Sequence, residues 1–298
     1  MMLRQKGFSL VELMIALLLS SIIIAAIANV FLDSGKSSRK QKALSYLVQD
    51  GRIAVELLVK EFRRIGFLRN PYMVYVPGNP SNMAGGPATD IFETDSNVFS
   101  SGLTLGVEEH IKGDFSHAGF AGDIFDNNRL LLRYQLDAMN DLGASPCTKN
   151  ISLSVDPAAR NMVVTLYYYV RFDNTTTNSP VLYCEAKLEN IDDSTTLTSA
   201  AIPLVSNVEK WHILYGEDIT GDGFANRYLL ANQVTAAGVW KNIKSVRFYL
   251  VLGSESKYMT QTTPSYRIDG RDYSVNTPND KRLYKVFTST VAFRNKPV

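Results

Sequence analysis

Hydrophobic positions along the chain fall into three regimes of different period. From Phe8 to Leu32 every residue is uncharged except Glu12, and that run is long enough for a membrane-spanning helix, which needs about 20 apolar residues. A polar break follows, Asp33-Ser34-Gly35-Lys36-Ser37-Ser38-Arg39-Lys40. Beyond it, apolar residues recur at Leu44, Leu47, Val48, Gly51, Val55, Leu58, Val59, Phe62 and Ile65. Steps of three and four define one face of an amphipathic helix. Arg52, Glu56, Lys60, Glu61, Arg63 and Arg64 take much of the remaining surface. The pattern predicts one continuous helix of about 58 residues from Phe8, near 85 Å at about 1.5 Å per residue. Gly66 is expected to end it, with Pro71 beyond.

The third regime has a period of two. Residues 66–128 are rich in glycine, proline, serine and asparagine and read as long loops with short strands. Strands are then expected at Arg129–Leu136, Met162–Phe172, Val181–Lys187, Val208–Tyr215, Arg227–Leu230, Ile243–Leu252 and Leu283–Phe293. One long helix followed by many antiparallel strands gives an α+β class. No repeat of fixed period is evident.

Glu12 gives the first regime its meaning. An acid at the centre of a membrane helix costs about 2.5–3.5 kcal/mol, less near the end, so a plain anchor would avoid it and a partner must be named. Cleavage after Gly7 would make Phe8 the new N-terminus and Glu12 the fifth residue of the mature chain. Gly7-Phe8-Ser9-Leu10-Val11-Glu12 resembles the processing site of the type IV pilin and type II pseudopilin superfamily. The resemblance implies that a membrane aspartyl prepilin peptidase cuts after Gly7 and methylates the Phe8 amine. It also implies that Glu12 pairs with the N-terminal amine of a neighbouring subunit. Opposite charges in a low-dielectric phase attract strongly and relieve each other's desolvation. Two blander readings compete. An ordinary signal peptide has an apolar core of about 7–15 residues, shorter than this run. A simple signal anchor would leave Glu12 incidental. The pilin-like division is a leader at 1–7, a transmembrane and assembly helix at 8–32, an amphipathic helix at 33–65 and a β-rich domain at 66–298, with the first half of the helix packing against other subunits.

Charge and cysteines agree with export. Of a formal net charge of +2, the leader holds Arg4 and Lys6, so the mature side chains would carry none. No basic field argues for nucleic acid. Arg4 and Lys6 before the span favour a cytoplasmic N-terminus and a domain outside the inner membrane. Cys147 and Cys184 are too far apart for a CxxC-type zinc or redox site. In an oxidising compartment they most simply form one disulfide, worth about 3–4 kcal/mol in the chain-entropy model. Two reduced buried thiols are the alternative.

One local motif suggests a cation. Asp218, Thr220, Asp222 and Asn226 place oxygens at the one-three-five-nine spacing of a Ca²⁺ loop, with Gly223 at the sixth place. Thr220 stands where an acid is usual, and no glutamate occupies the twelfth place. An Asx-type turn between strands explains the same residues. Enzyme chemistry finds little support. His110, His117 and His212 are dispersed, and no HExxH, GxSxG, P-loop or GxGxxG before a helix occurs. His212 beside Trp211 reads as a partly buried core histidine. Tyr167, Tyr168 and Tyr169 alternate faces of a strand and read as core and cross-strand packing rather than a base-stacking platform.

The C-terminal part carries a second resemblance. Trp211–Tyr215 with the Gly-Asp-Gly loop, Trp240–Phe248 and the terminal block Arg282–Asn295 resemble PilW-type minor pilins, and the terminal block also resembles J-type pseudopilins of type II secretion. Residues 66–207 carry no motif of a family. The resemblance implies a non-enzymatic, single-pass inner-membrane protein with a periplasmic domain, built into a complex that primes or caps a pilus at its tip. Its implied partners are other minor pilins, the major pilin, inner-membrane assembly proteins and a PilY-type tip protein. A J-type pseudopilin and a signal-anchored periplasmic enzyme are the alternatives.

Overall fold

The computed structural model describes residues 9–67, 73–75, 83–85, 96–97, 103–105, 109–115, 127–136, 145–151, 162–173, 179–190, 195–257, 259–260, 262–275 and 280–294. These divide into two compact units, one up to Tyr46 and one from Leu47 onward. Helix α1 (Leu10–Phe62) is uninterrupted over 53 residues. Gly35 weakens a helix by roughly 1 kcal/mol relative to alanine. The lysines, arginine and glutamine that follow it are good helix formers, and the polar stretch stays helical. The end comes earlier than the expected Gly66. After Phe62 the α-type ladder tightens into i→i+3 bonds, Arg64 N–H to Glu61 O and Ile65 N–H to Phe62 O. Gly66 then takes a left-handed φ of 71° and donates its N–H to Arg133 O at 3.0 Å.

The first unit is helical from Leu10, and its large apolar side chains are exposed. The second unit holds the sheets. Short pairs form between β1 (Met73–Tyr75) and β2 (Met83–Gly85), and between β3 (Ser96–Asn97) and β4 (Thr104–Leu105). A six-stranded antiparallel sheet follows, from β5 (Ile111–Phe115), β6 (Asn128–Gln135), β7 (Met162–Phe172), β8 (Pro180–Asn190), β9 (Thr196–Thr198) and β10 (Ile202–Ser206). Its order is β10-β8-β7-β6-β5, with β9 also paired to β8. The second sheet is four-stranded, in the order β12-β11-β13-β16, from β11 (Val208–Glu217), β12 (Arg227–Leu229), β13 (Ile243–Gly253) and β16 (Tyr284–Ala292). Helix α2 (Ala231–Ala237) and the hairpin of β14 (Ser265–Ile268) and β15 (Arg271–Ser274) complete it.

Alternation sets the core. Val164, Leu166, Tyr168 and Val170 of β7 join Leu182, Cys184 and Ala186 of β8 on one face. The α1 stripe of Leu47, Ala54, Leu58 and Phe62 packs in the same cluster. Phe62 is fully buried and lies 6.2 Å from the Tyr168 ring, 6.4 Å from Trp211 and 5.4 Å from Phe248, centroid to centroid. It therefore touches β7 of one sheet and β11 and β13 of the other. On the opposite face of β7, Tyr167 and Tyr169 stack at 4.7 Å, Tyr183 continues the stack, and the Arg171 guanidinium lies 4.3 Å from the Tyr183 ring. The three tyrosines are thus packed, two against a second small cluster and one in the main core. Asparagines join the sheets as well. Short β12 pairs only with Tyr215–Glu217 of β11, and further along, Trp211 and Ile213 donate their N–H groups to Asn127 Oδ1 at 2.5 Å and Asn128 Oδ1 at 3.0 Å. Each bond removes a buried unsatisfied donor.

Two buried positions on α1 generate predictions. A Cβ on Gly51 would sit 2.1 Å from the Phe287 ring of β16, so any larger residue would have to displace that ring, and glycine stands here despite its poor helix propensity. Gly51→Ala should therefore destabilise the domain by about 1–3 kcal/mol rather than gain the roughly 1 kcal/mol expected at a free helical site. Denaturant unfolding of the purified chain measures the sign. Glu61 is 1 % exposed. Burial raises its carboxyl pKa from 4.5 to about 7, against the opposing pull of Arg64, the Ser145 hydrogen bond and Lys60. An acid raised in this way adds stability that is full below 4.5 and is lost as pH rises through about 7, about 3 kcal/mol in all. Glu61→Gln should flatten the decline in stability between pH 5 and pH 8, roughly, as unfolding curves at stepped pH will show.

Candidate functional site

Ser9 and Glu12 open α1 as a reciprocal cap. The Ser9 N–H donates to Glu12 Oε2 at 3.2 Å and the Val11 N–H donates to Ser9 Oγ at 3.3 Å. This is the Ser-x-x-Glu arrangement that satisfies otherwise orphaned donors at a helix start. The carboxylate also complements the positive end of the helix dipole. The Ser-x-x-Glu spacing carries this cap in the sequence, and Glu12 therefore has a role within its own helix besides the expected intermolecular one. Gly7 and Phe8 lie outside the described residues. From Leu10 to Leu32 the large apolar side chains are 54–78 % exposed, whereas α1 positions in the core are almost inaccessible. The most apolar stretch has a mean hydropathy of 2.7 with none of it buried. This surface fits lipid or other apolar helices, since water would penalise it by about 25 cal/mol per Å².

Cys147 and Cys184 are joined in a disulfide with Cα atoms 5.6 Å apart. Cys147 sits in a 3₁₀ turn, Pro146–Thr148, whose Ser145 hydroxyl accepts the Cys147 N–H, and Cys184 lies on β8. The Tyr168 hydroxyl is 3.6 Å from Cys147 Sγ. Ser145 also bonds Glu61, so the cross-link, the end of α1 and β7 meet in one buried polar cluster. Sequence pattern could not reveal this, because Glu61 lies in a charged stretch at the end of α1, Glu61-Phe62-Arg63-Arg64.

The Asp218–Asn226 loop brings together three of the four residues singled out as ligands. Asp218 accepts the N–H of Gly221 through Oδ1 and of Gly223 through Oδ2, both at 2.7 Å. Asn226 Oδ1 accepts the N–H of Ile219 at 2.6 Å and of Thr220 at 3.3 Å. The Thr220 hydroxyl bridges Asp218 at 3.5 Å and Asn226 at 3.4 Å. Asp222 accepts the Phe224 N–H at 2.9 Å. The base of the loop is closed by Arg227 on Glu217 at 2.7 Å. These bonds build an Asx-type turn; Ca²⁺ at the same oxygens is a proposal, supported if calorimetry shows heat that Asp222→Ala abolishes. Among the histidines, His110 is half-buried with both ring nitrogens inaccessible, and burial together with the Arg133 and Lys244 charges lowers its pKa to about 3, so the imidazole is neutral near pH 7. His212 is buried on β11 beside Tyr249. His117 lies outside the described residues.

Residues 2–28, which include Gly7, Phe8 and Glu12, match a family model described as the prokaryotic N-terminal methylation motif. Residues 167–295, from the middle of β7 to beyond β16, match a model described as Type IV Pilus-assembly protein W. No curated protein and no solved structure matches the chain.

Burial pushes the Asp218 pKa up, but the Gly223 and Gly221 N–H donors and the Lys244 charge outweigh it, and the net direction is down. A depressed acid gives stability that is present above its unfolded pKa and lost as pH falls through the folded value. Asp218→Asn should therefore lower the melting temperature at neutral pH and narrow the gap from wild type in acid, whereas Asp222→Ala should change both less. Melting curves across the acid range check the ordering.

Proposed function

The two family matches support a PilW-type minor pilin of type IV pili, and from that premise we propose that the chain is cleaved at Gly7–Phe8, methylated on Phe8 and built into a priming or tip complex that initiates the pilus. Its β domain lies in the periplasm before assembly. Its partners are other minor pilins, the major pilin, the inner-membrane assembly proteins, a PilY-type tip protein and, during maturation, the prepilin peptidase. The carrying observation is the juxtaposition of an acid with an uncovered apolar surface. Glu12 stands at the head of a helix whose apolar side chains up to Leu32 find no cover among the described residues. In lipid, an acid so placed is offset by a cationic partner, and the amine of a processed neighbour supplies one. Work of this kind is assembly, not turnover.

The reciprocal cap dictates the test. Glutamine can also serve at the third helical position of a capping box, so Glu12→Gln keeps the helix start and removes only the charge. The melting temperature of the β domain should stay at the wild-type value, while incorporation into sheared pili should fall by about tenfold or more. That is the order expected when an amine loses a partner worth about 2–3 kcal/mol in apolar surroundings. Wild-type incorporation of Glu12→Gln would leave Glu12 a helix cap alone.

A further inference from the structure

Between Asp33 and Lys42 the chain carries four cations, Lys36, Arg39, Lys40 and Lys42, against the single acid Asp33. The stretch is helical and exposed throughout. Lys36 and Asp33 form a pair at 3.4 Å, but their side chains are 78 % and 76 % exposed, and such a pair is too weak in water to neutralise the patch. These residues follow the apolar run directly on the same helix. Leu13 to Leu32 covers about 30 Å at 1.5 Å per residue, the thickness of a bilayer's hydrocarbon layer. Lys36 and Lys42 then stand about 6 Å and about 15 Å beyond that boundary. Helical side chains lean toward the helix N-terminus, which here means toward the bilayer. Lysine and arginine stems are long enough to bring their charges back to the headgroup level. At about 100° per residue Lys36, Arg39 and Lys40 share one face. The cluster is no orientation signal for an exported domain, because cations beside a span favour the cytoplasmic side.

We propose that Lys36, Arg39, Lys40 and Lys42 form a collar that binds the phosphate headgroups of anionic phospholipids in the leaflet from which α1 emerges. Charge complementarity and direct continuity with the apolar run select this occupant. A cation close to a charged leaflet contributes roughly a fivefold gain in association, so the collar concentrates anionic lipid around the helix. The proposal rests on the reading of Leu13–Leu32 as a membrane span.

The test reconstitutes the full chain in phosphatidylcholine bilayers doped with spin-labelled phosphatidylglycerol or spin-labelled phosphatidylcholine. The motionally restricted fraction in electron paramagnetic resonance reports their relative association. Phosphatidylglycerol should be preferred by about threefold or more at low salt. The preference should approach parity in about 0.5 M NaCl, where screening is strong, and also in the combined variant Lys36→Gln, Arg39→Gln, Lys40→Gln and Lys42→Gln. Parity in the wild type, or a preference the combined variant retains, overturns the collar. Parity in the wild type, joined to loss of cross-linking between copies in the variant, also overturns it and assigns the cations to a neighbouring chain. Failure of the wild type to float with pure phosphatidylcholine vesicles overturns the span reading and the collar with it. Normal flotation with lipid parity overturns the collar alone.

Discussion

The packing of Phe62 between two sheets is the contact on which the domain depends. Its ring meets Tyr168 of the six-stranded sheet and Trp211 and Phe248 of the four-stranded sheet. Removing such a ring from a core costs about 3–5 kcal/mol, a large fraction of a domain's net stability. The neighbouring groups reinforce the same junction. Gly51 admits the Phe287 ring, the Asn127 and Asn128 side chains close the β11 backbone donors, and Glu61 meets Ser145 beside the disulfide. Burying Glu61 works against stability at neutral pH, and its place is tolerable because the surrounding apolar packing outweighs it.

This commitment explains how one helix has two kinds of surface. From Leu47 onward the α1 stripe is used up by the core. Up to Leu32 the large apolar side chains are exposed around the whole helix, and burying each is worth about 1.5–3 kcal/mol. Only an apolar phase or other apolar helices can supply that burial. Charge is confined to the edges of this surface, Glu12 at its start and the cationic stretch after Leu32. Neither edge belongs to the buried clusters of the β domain.

Much of the architecture was legible because its signals are long. The apolar run and the three–four spacing from Leu44 to Phe62 gave the helix, and the β-branched and aromatic run gave Met162–Phe172 with both ends in place. Shorter elements escaped. Strand β10 contains Pro203, which reads as a breaker but is tolerated at a sheet edge. Helix α2 has seven residues, too few to show a period. The β14–β15 hairpin has a signal of only two residues, Asp269-Gly270, whose φ values of 48° and 77° are those of a tight hairpin turn. Of the candidate site, the Gly-Phe-x-x-x-Glu motif and the lone cysteine pair stand out because they are rare. The cap between Ser9 and Glu12, the burial of Glu61 and the roles of Asn127 and Asn128 depend on which side chains meet in space, and local pattern does not hold that information.

Mass spectrometry of the chain purified from membranes of cells that contain the prepilin peptidase tests the assembly role most directly, because Glu12 has an amine to pair with only if Phe8 becomes a terminus. The mature chain should begin at Phe8, lack residues 1–7 and carry one added methyl group on the new amine. A chain that keeps Met1, or one cut elsewhere in the apolar run, would contradict the assignment of Glu12 to assembly.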